Sequence, residues 1–170
     1  MTRRADRAEA LRALGAEPVV GDALDREGLR AAVAAARPEG VMHQLTDLGA
    51  YDVDANARVR VAGTRNLVDA ARAAGVRRIV AQSVAFCYAP GEGPADEATP
   101  LDVDAPESRR PSVRGVAALE AAVAEVPEWV VLRDAAVLAL GWSRARGADN
   151  RRARALGWAP RHPWRDALAR

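Results

Sequence analysis

Few side chains in this sequence are of a type and spacing that could do chemistry. The stretch RRIVAQSVAFCYAPG, from Arg77 to Gly91, holds most of them, with Ser83, Cys87 and Tyr88 close together. A short apolar run, Ile79 to Ala81, leads into Gln82 and Ser83, and an aromatic-bearing turn then breaks on Pro90 and Gly91. A buried parallel strand that delivers side chains to a site at its C-terminal end has this form. Cys87 has no candidate base beside it and reads as a small core or turn residue. His43 has no second histidine nearby, and His162 lies far along the chain in a proline-flanked turn. No Cys or His cluster therefore has metal-ligand spacing. The acids between positions 92 and 107 are unpaired in spacing, which reads as a solvated loop rather than an acid–base pair. All 25 basic residues are arginine, and no lysine occurs anywhere.

Composition bounds what these residues can belong to. A chain of 170 residues suits one core of moderate size. A hydrophobic content of 49% against 28% charged residues describes a globular chain rather than a disordered one. No apolar run approaches the roughly 20 residues of a membrane span, and MTRRADRAEA has no signal-peptide core, so no membrane association is expected. A single cysteine excludes an internal disulfide and fits the cytoplasm. The net charge of +2 gives no footprint for nucleic acid.

Alternating helices and short apolar strands must position the candidates. Residues 5–14 read as a helix stopped by Gly15, and Pro18 to Gly21 as a short strand. Asp25 is a plausible N-cap for a helix whose face is Leu29, Ala32, Val33 and Ala36. VMHQL at 41–45 is the next strand. A long helix from about Asp54 to Ala74 closes on Gly75, and Val76 to Ser83 is the strand before the serine. Residues 86–110, with four prolines and two glycines, form a long surface loop. Pro111 suits the first turn of a helix reaching Glu125, and WVVLR at 129–133 is the last clear strand. Such alternation predicts an α/β fold, a parallel sheet with helices on both sides.

The order VVGDALD, VMHQL, NARVRVAGTRNLVDAARAAGVRRIVAQS, AFCYAPG and WVVLR resembles the extended short-chain dehydrogenases. These form the NAD-dependent epimerase/dehydratase family, built on a Rossmann-like sheet. The resemblance implies a partial NAD(P)-binding domain over residues 1–133 and a remnant of a substrate lobe over 134–170. It also implies that the first two strands and most of that lobe are missing. Strand 18–21 would then pair directly with strand 41–45 or leave an edge open. Three tryptophans of the tail, Trp142, Trp158 and Trp164, would be partly exposed or seek an oligomer contact.

The same resemblance implies NAD or NADP as cofactor. Asp22, with Ala23 after it, matches the aspartate that contacts adenine, although an aspartate after a strand is equally a turn former. Gln44, Leu45 and Thr46 stand where the family lines the cofactor ribose, and Ser83 lies next to the position of the catalytic serine or threonine. Asn56 and Arg60 fall on the helix that faces the cofactor, with Arg60 in place of the family's asparagine. Two family features have no counterpart in the sequence. Nothing matches the glycine-rich turn G-x-x-G-x-x-G that cradles the diphosphate. The pair Y-x-x-x-K, in which lysine helps ionise a phenol, aligns with Ser112 and Val116, and Tyr88 fits the family's structural turn tyrosine. Arginine does not imitate that ammonium. The resemblance thus implies an oxidoreductase acting on a sugar nucleotide or related hydroxyl-bearing substrate, with turnover lost. Alternatives are a non-catalytic binding module, with a homo-oligomer possible, or a truncated gene product without independent function.

Overall fold

A computed structural model describes residues 1–47, 52–134, 151–157 and 159. Three strands, β1 (Gly40–His43), β2 (Arg78–Val84) and β3 (Glu128–Asp134), run parallel in that spatial order. Gly40 stands opposite Arg78, which stands opposite Glu128, and His43, Ala81 and Val131 are aligned in the same register. All three strands therefore end on one side of the sheet. Sequence reading and structure agree on the fold class: a Rossmann-like parallel sheet with flanking helices.

Local chemistry explains most helix limits. A 3-10 turn, Ala5–Arg7, leads into α1 (Ala8–Ala13), and Gly15 at φ +82 closes it. Helix α2 (Arg26–Ala36) starts on Asp25, whose carboxylate accepts from the Gly28 amide at 3.1 Å. Asp52 caps α3 (Val53–Arg58) by accepting from the Asp54 and Ala55 amides. A π turn, Val59–Gly63, joins α3 to α4 (Thr64–Ala73), which Gly75 closes at φ +77. The long helix expected over 54–74 is thus present, with one wide turn inside it. Helix α5 (Arg110–Val123) carries Pro111 in its first turn, where a missing amide costs nothing. A short α6 spans Arg151–Ala155.

The core is built from one face of the sheet. Ile79 and Ala81 of β2 are fully buried against Val68 and Ala71 of α4 and Leu119 and Val123 of α5. A neighbouring cluster joins Leu29 and Val33 of α2 to Leu67 and Ala70 of α4. Strand alternation puts Met42, Val130 and Leu132 on the opposite face. Among the described residues no helix covers them, and they stand 70%, 47% and 54% exposed. The expected helices on both sides are therefore seen on one side only.

Three further expectations are corrected. Pro18 to Gly21 is not a sheet strand; it makes a single parallel bridge between Thr2 and Val20, because among the described residues Thr2 alone offers it a partner. It does not pair with β1. Second, β1 stops at His43, so Gln44, Leu45 and Thr46 lie beyond the ladder. Third, residues 86–110 are folded onto the sheet end rather than solvated throughout. Tyr88 bridges Leu101 antiparallel, and Ala95 and Ala105 are fully buried. Trp142, Trp158, Trp164 and most of the expected 134–170 unit lie outside the described residues.

Candidate functional site

The ends of β1 and β2 carry His43 and Ser83, two of the buried polar side chains of the core, and Arg133 lies near the end of β3. Ser83, next to last in β2, is fully buried, and its hydroxyl donates to Glu120 Oε1 of α5 at 2.7 Å. Arg133 of β3 grips the same carboxylate with both arms, Nε to Oε1 at 2.9 Å and Nη2 to Oε2 at 2.8 Å. Its remaining Nη1 donates to the Thr99 carbonyl at 3.0 Å, and its plane lies 4.8 Å from the Tyr88 ring centroid. The Glu120 hydrogen bonds hold Arg133 well above the ordinary guanidinium range. A bidentate, charge-assisted pair of this kind fixes both side chains. The Ser83 hydroxyl, both Glu120 oxygens and the Arg133 guanidinium are thereby engaged in structure.

His43 closes β1 in a different way. Nδ1 accepts from the Leu45 amide at 3.3 Å, which leaves Nε2–H to donate to Thr64 Oγ1 at 2.7 Å. Burial pushes the imidazole down to about 4, and the Arg60 charge adds to the effect. The ring is a neutral anchor between the sheet and α4. Asn56 Oδ1 accepts from the Asp47 amide at 3.0 Å, so α3 holds the loop that carries Gln44 to Thr46. Gln44 and Thr46 are exposed there, and Leu45 packs partly buried against the α2–α4 cluster.

On the N-terminal side, Asp22 Oδ1 accepts from the Leu24 amide at 2.9 Å, forming a turn. Ala23 is buried, and its carbonyl accepts from Asn66 Nδ2 at 3.0 Å. This turn is thereby tied to α4. The structure brings Ser83 together with Glu120, Arg133 and Tyr88, but places Ala23 in a separate cluster against which Leu45 packs, with Asp22 in the turn before it. Neither Arg133 nor Glu120 is singled out for a role from the sequence. The available signal was a charged residue closing an apolar strand, WVVLR, and one glutamate inside the apolar run VAALEAAV.

The positions aligned with the phenol–ammonium pair are unsuited to proton transfer. Val116 is buried in the cluster around Cys87, and Ser112 is half-buried in the first turn of α5. Burial pushes the Cys87 thiol up to about 12, so it is inert. No three His, Cys, Asp or Glu side chains converge on a metal position among the described residues. No helix there is long and apolar enough to cross a membrane. A groove of about 220 Å³ lined by Arg26, Arg30, Asn66 and Asp69 lies between α2 and α4 and includes none of the strand-end residues.

Whether these residues suit a dinucleotide depends on which end is considered. The residues expected at the nucleoside end, Asp22, Ala23, Gln44, Leu45 and Thr46, lie on a turn and on the segment following β1. A diphosphate needs close-approach backbone. Among the described residues the positive-φ glycines, at positions 15, 75, 93 and 157, sit at helix ends and a loop tip. The Gly28 position is filled by the Asp25 carboxylate, to which a Cβ would come within 2.3 Å. Among the described residues no close-approach glycine turn of the kind a diphosphate needs is present.

Comparison with known proteins identifies the family. A family model described as NAD(P)H-binding matches residues 1–138. A 3-diazoavenalumate denitrifying reductase from Streptomyces sp is 48% identical over 150 residues, covering 84% of this chain and 47% of the relative. The chain thus spans about half the length of that curated relative. The Bordetella bronchiseptica enzyme WbmG, solved with NAD and UDP, superposes with a TM-score of 0.59 at 27% identity, over 69% of this chain and 37% of that one. A short-chain dehydrogenase/reductase superfamily protein from Agrobacterium tumefaciens with bound NAD gives 0.56 at 31% identity, over 74% and 43%. UDP-glucose 4-epimerase from Thermus thermophilus, complexed with NAD, gives 0.55 at 26%, over 74% and 49%. The expected family and its NAD or NADP cofactor are borne out.

Proposed function

Because the chain belongs to the NAD(P)H-binding family, we propose that it handles the nucleoside end of NAD or NADP and performs no epimerase or dehydratase turnover of its own. The observation that carries this reading is the closed Ser83–Glu120–Arg133 network. Alcohol oxidation needs a base to take the hydroxyl proton and a donor to hold the oxygen. Here the strand-end serine donates to a carboxylate that is itself clamped, and no lysine exists to ionise a phenol. Asp22, Ala23, Gln44, Leu45 and Thr46 would line the nucleoside, with Ser83 behind them as a structural residue.

A second reading concerns lineage, and the 48% identity to a denitrifying reductase favours it. A bound reduced nicotinamide would supply hydride. Hydride arriving at a diazonium carbon forms a carbon–hydrogen bond, and the departing dinitrogen takes the pair from the broken carbon–nitrogen bond. No hydroxyl proton moves, so the missing tyrosine–lysine pair is no obstacle to that chemistry. We infer that the chain descends from reductases of this kind rather than from sugar-nucleotide epimerases.

Both readings are tested on the purified chain. Tryptophan fluorescence titrated with NADH and with AMP is expected to show weak, saturable binding of both at similar strength, since the nucleoside end alone is held. Tight NADH binding with no response to AMP would contradict this. Incubation with UDP-glucose is expected to give no conversion. Consumption of NADPH with a benzenediazonium salt above the protein-free blank would favour the reductase lineage, and none is expected from an epimerase descendant.

A further inference from the structure

Only 5% of the Arg60 surface is exposed, yet its Nη1 has no hydrogen-bond partner among the described residues. Arg133, whose side chain is 19% exposed, is gripped by a carboxylate, whereas the more deeply buried Arg60 leaves its Nη1 without a partner among the described residues. Arg60 sits on the π turn Val59–Gly63, a rare geometry that recurs at functional sites. Helix α5 closes over it: a Cβ on Gly115 would come within 3.2 Å of Ala57 Cα and 3.4 Å of Arg60 Cβ. The Arg60 charge acts on His43 and on Cys87, and burial keeps both of these neutral at ordinary pH. His43 ends β1 and Cys87 follows β2, so the guanidinium lies at the carboxyl ends of the parallel strands, where α/β sheets take their ligands. Among the described residues no carboxylate acts on Arg60 to balance it. A desolvated cation left without a partner is among the costliest groups a core can hold.

We propose that Arg60 anchors an oxyanion-binding site at the carboxyl end of the sheet, its Nη1 donating to the carboxylate of a small aromatic acid. One positive charge matches a singly charged carboxylate. A diphosphate carries more charge and calls for several converging donors, commonly backbone amides. The aromatic character of the acid rests on the reductase lineage proposed above; the anion site rests on the buried charge alone.

Thermal unfolding of the full chain in benzoate, in inorganic phosphate and in chloride at matched ionic strength tests the proposal. Benzoate is expected to raise the melting temperature saturably, by about 5–10 °C at a hundredfold excess over its dissociation constant. Phosphate should raise it less, and chloride should leave it unchanged. Arg60→Met replaces an uncompensated charge by an apolar chain, so it should melt at or above the wild-type temperature and ignore benzoate. Arg60→Lys keeps the charge without the planar fork and should keep a weakened response, which makes the result readable even if the methionine variant misfolds. A larger response to phosphate than to benzoate would overturn the carboxylate assignment. No benzoate response in the wild type, or an equal one in Arg60→Met, would overturn the site. Neither readout needs turnover, so a failed hydride assay leaves this test intact.

Discussion

Removing the Glu120 carboxylate should cost the fold more than any exposed ion pair could. Glu120→Ala strands the Arg133 guanidinium, whose side chain is 19% exposed, and leaves the fully buried Ser83 hydroxyl without its acceptor. Breaking a buried pair from one side costs ~3–5 kcal/mol, and a buried hydroxyl left unsatisfied adds to it. Partial access of water to Arg133 and its surviving bond to the Thr99 carbonyl reduce the penalty, so we expect ~3 kcal/mol in all. That corresponds to a melting temperature lowered by about 6–12 °C in a chain of this size. Urea unfolding followed by far-ultraviolet circular dichroism should show the midpoint fall at unchanged slope. Ser83→Ala should cost only ~1 kcal/mol, because Glu120 keeps both arms of Arg133. The double variant should fall short of additivity by a similar amount, the serine having already lost its partner. A loss below ~1 kcal/mol for Glu120→Ala, the range of solvent-exposed pairs, would refute the claim that this network is locked.

Other consequences follow from the same core. His43 is held neutral, with its folded value pushed down to about 4 from an ordinary 6.5. Its contribution is therefore fully present above pH 6.5 and is lost as pH falls toward 4, by ~3 kcal/mol in total. His43→Gln should unfold with a flatter pH dependence across that window; an unchanged slope would mean that the imidazole is not the group responsible. Cys87, fully buried and with its thiol pushed up to about 12, should resist iodoacetamide at pH 8 in the folded chain and react once urea unfolds it. Ile79→Ala should cost ~2–5 kcal/mol, since Ile79 is fully buried between α4 and α5; a loss under ~1 kcal/mol would contradict the one-sided core.

Local chemistry is legible in the sequence and tertiary chemistry is not. Asp25 as a cap, Gly15 and Gly75 as closers and Pro111 in a first turn each announce themselves through their own backbone preference. Residues 18–21 mislead because a β-branched pair has propensity without a guarantee of a partner; among the described residues Thr2 alone bridges it. Ser83, Glu120 and Arg133 come from three elements far apart in sequence, and no spacing rule links them. The π turn at Val59–Gly63 is equally hidden, since its residues satisfy an ordinary helical pattern.

Conversion of UDP-glucose by the purified chain in the presence of NAD tests the central claim most directly. With the Ser83 hydroxyl committed to Glu120 and no lysine in the sequence, product should not rise above the protein-free blank. Saturable conversion that disappears in Ser83→Ala would show that the strand-end serine is free to act on substrate, and would contradict the account.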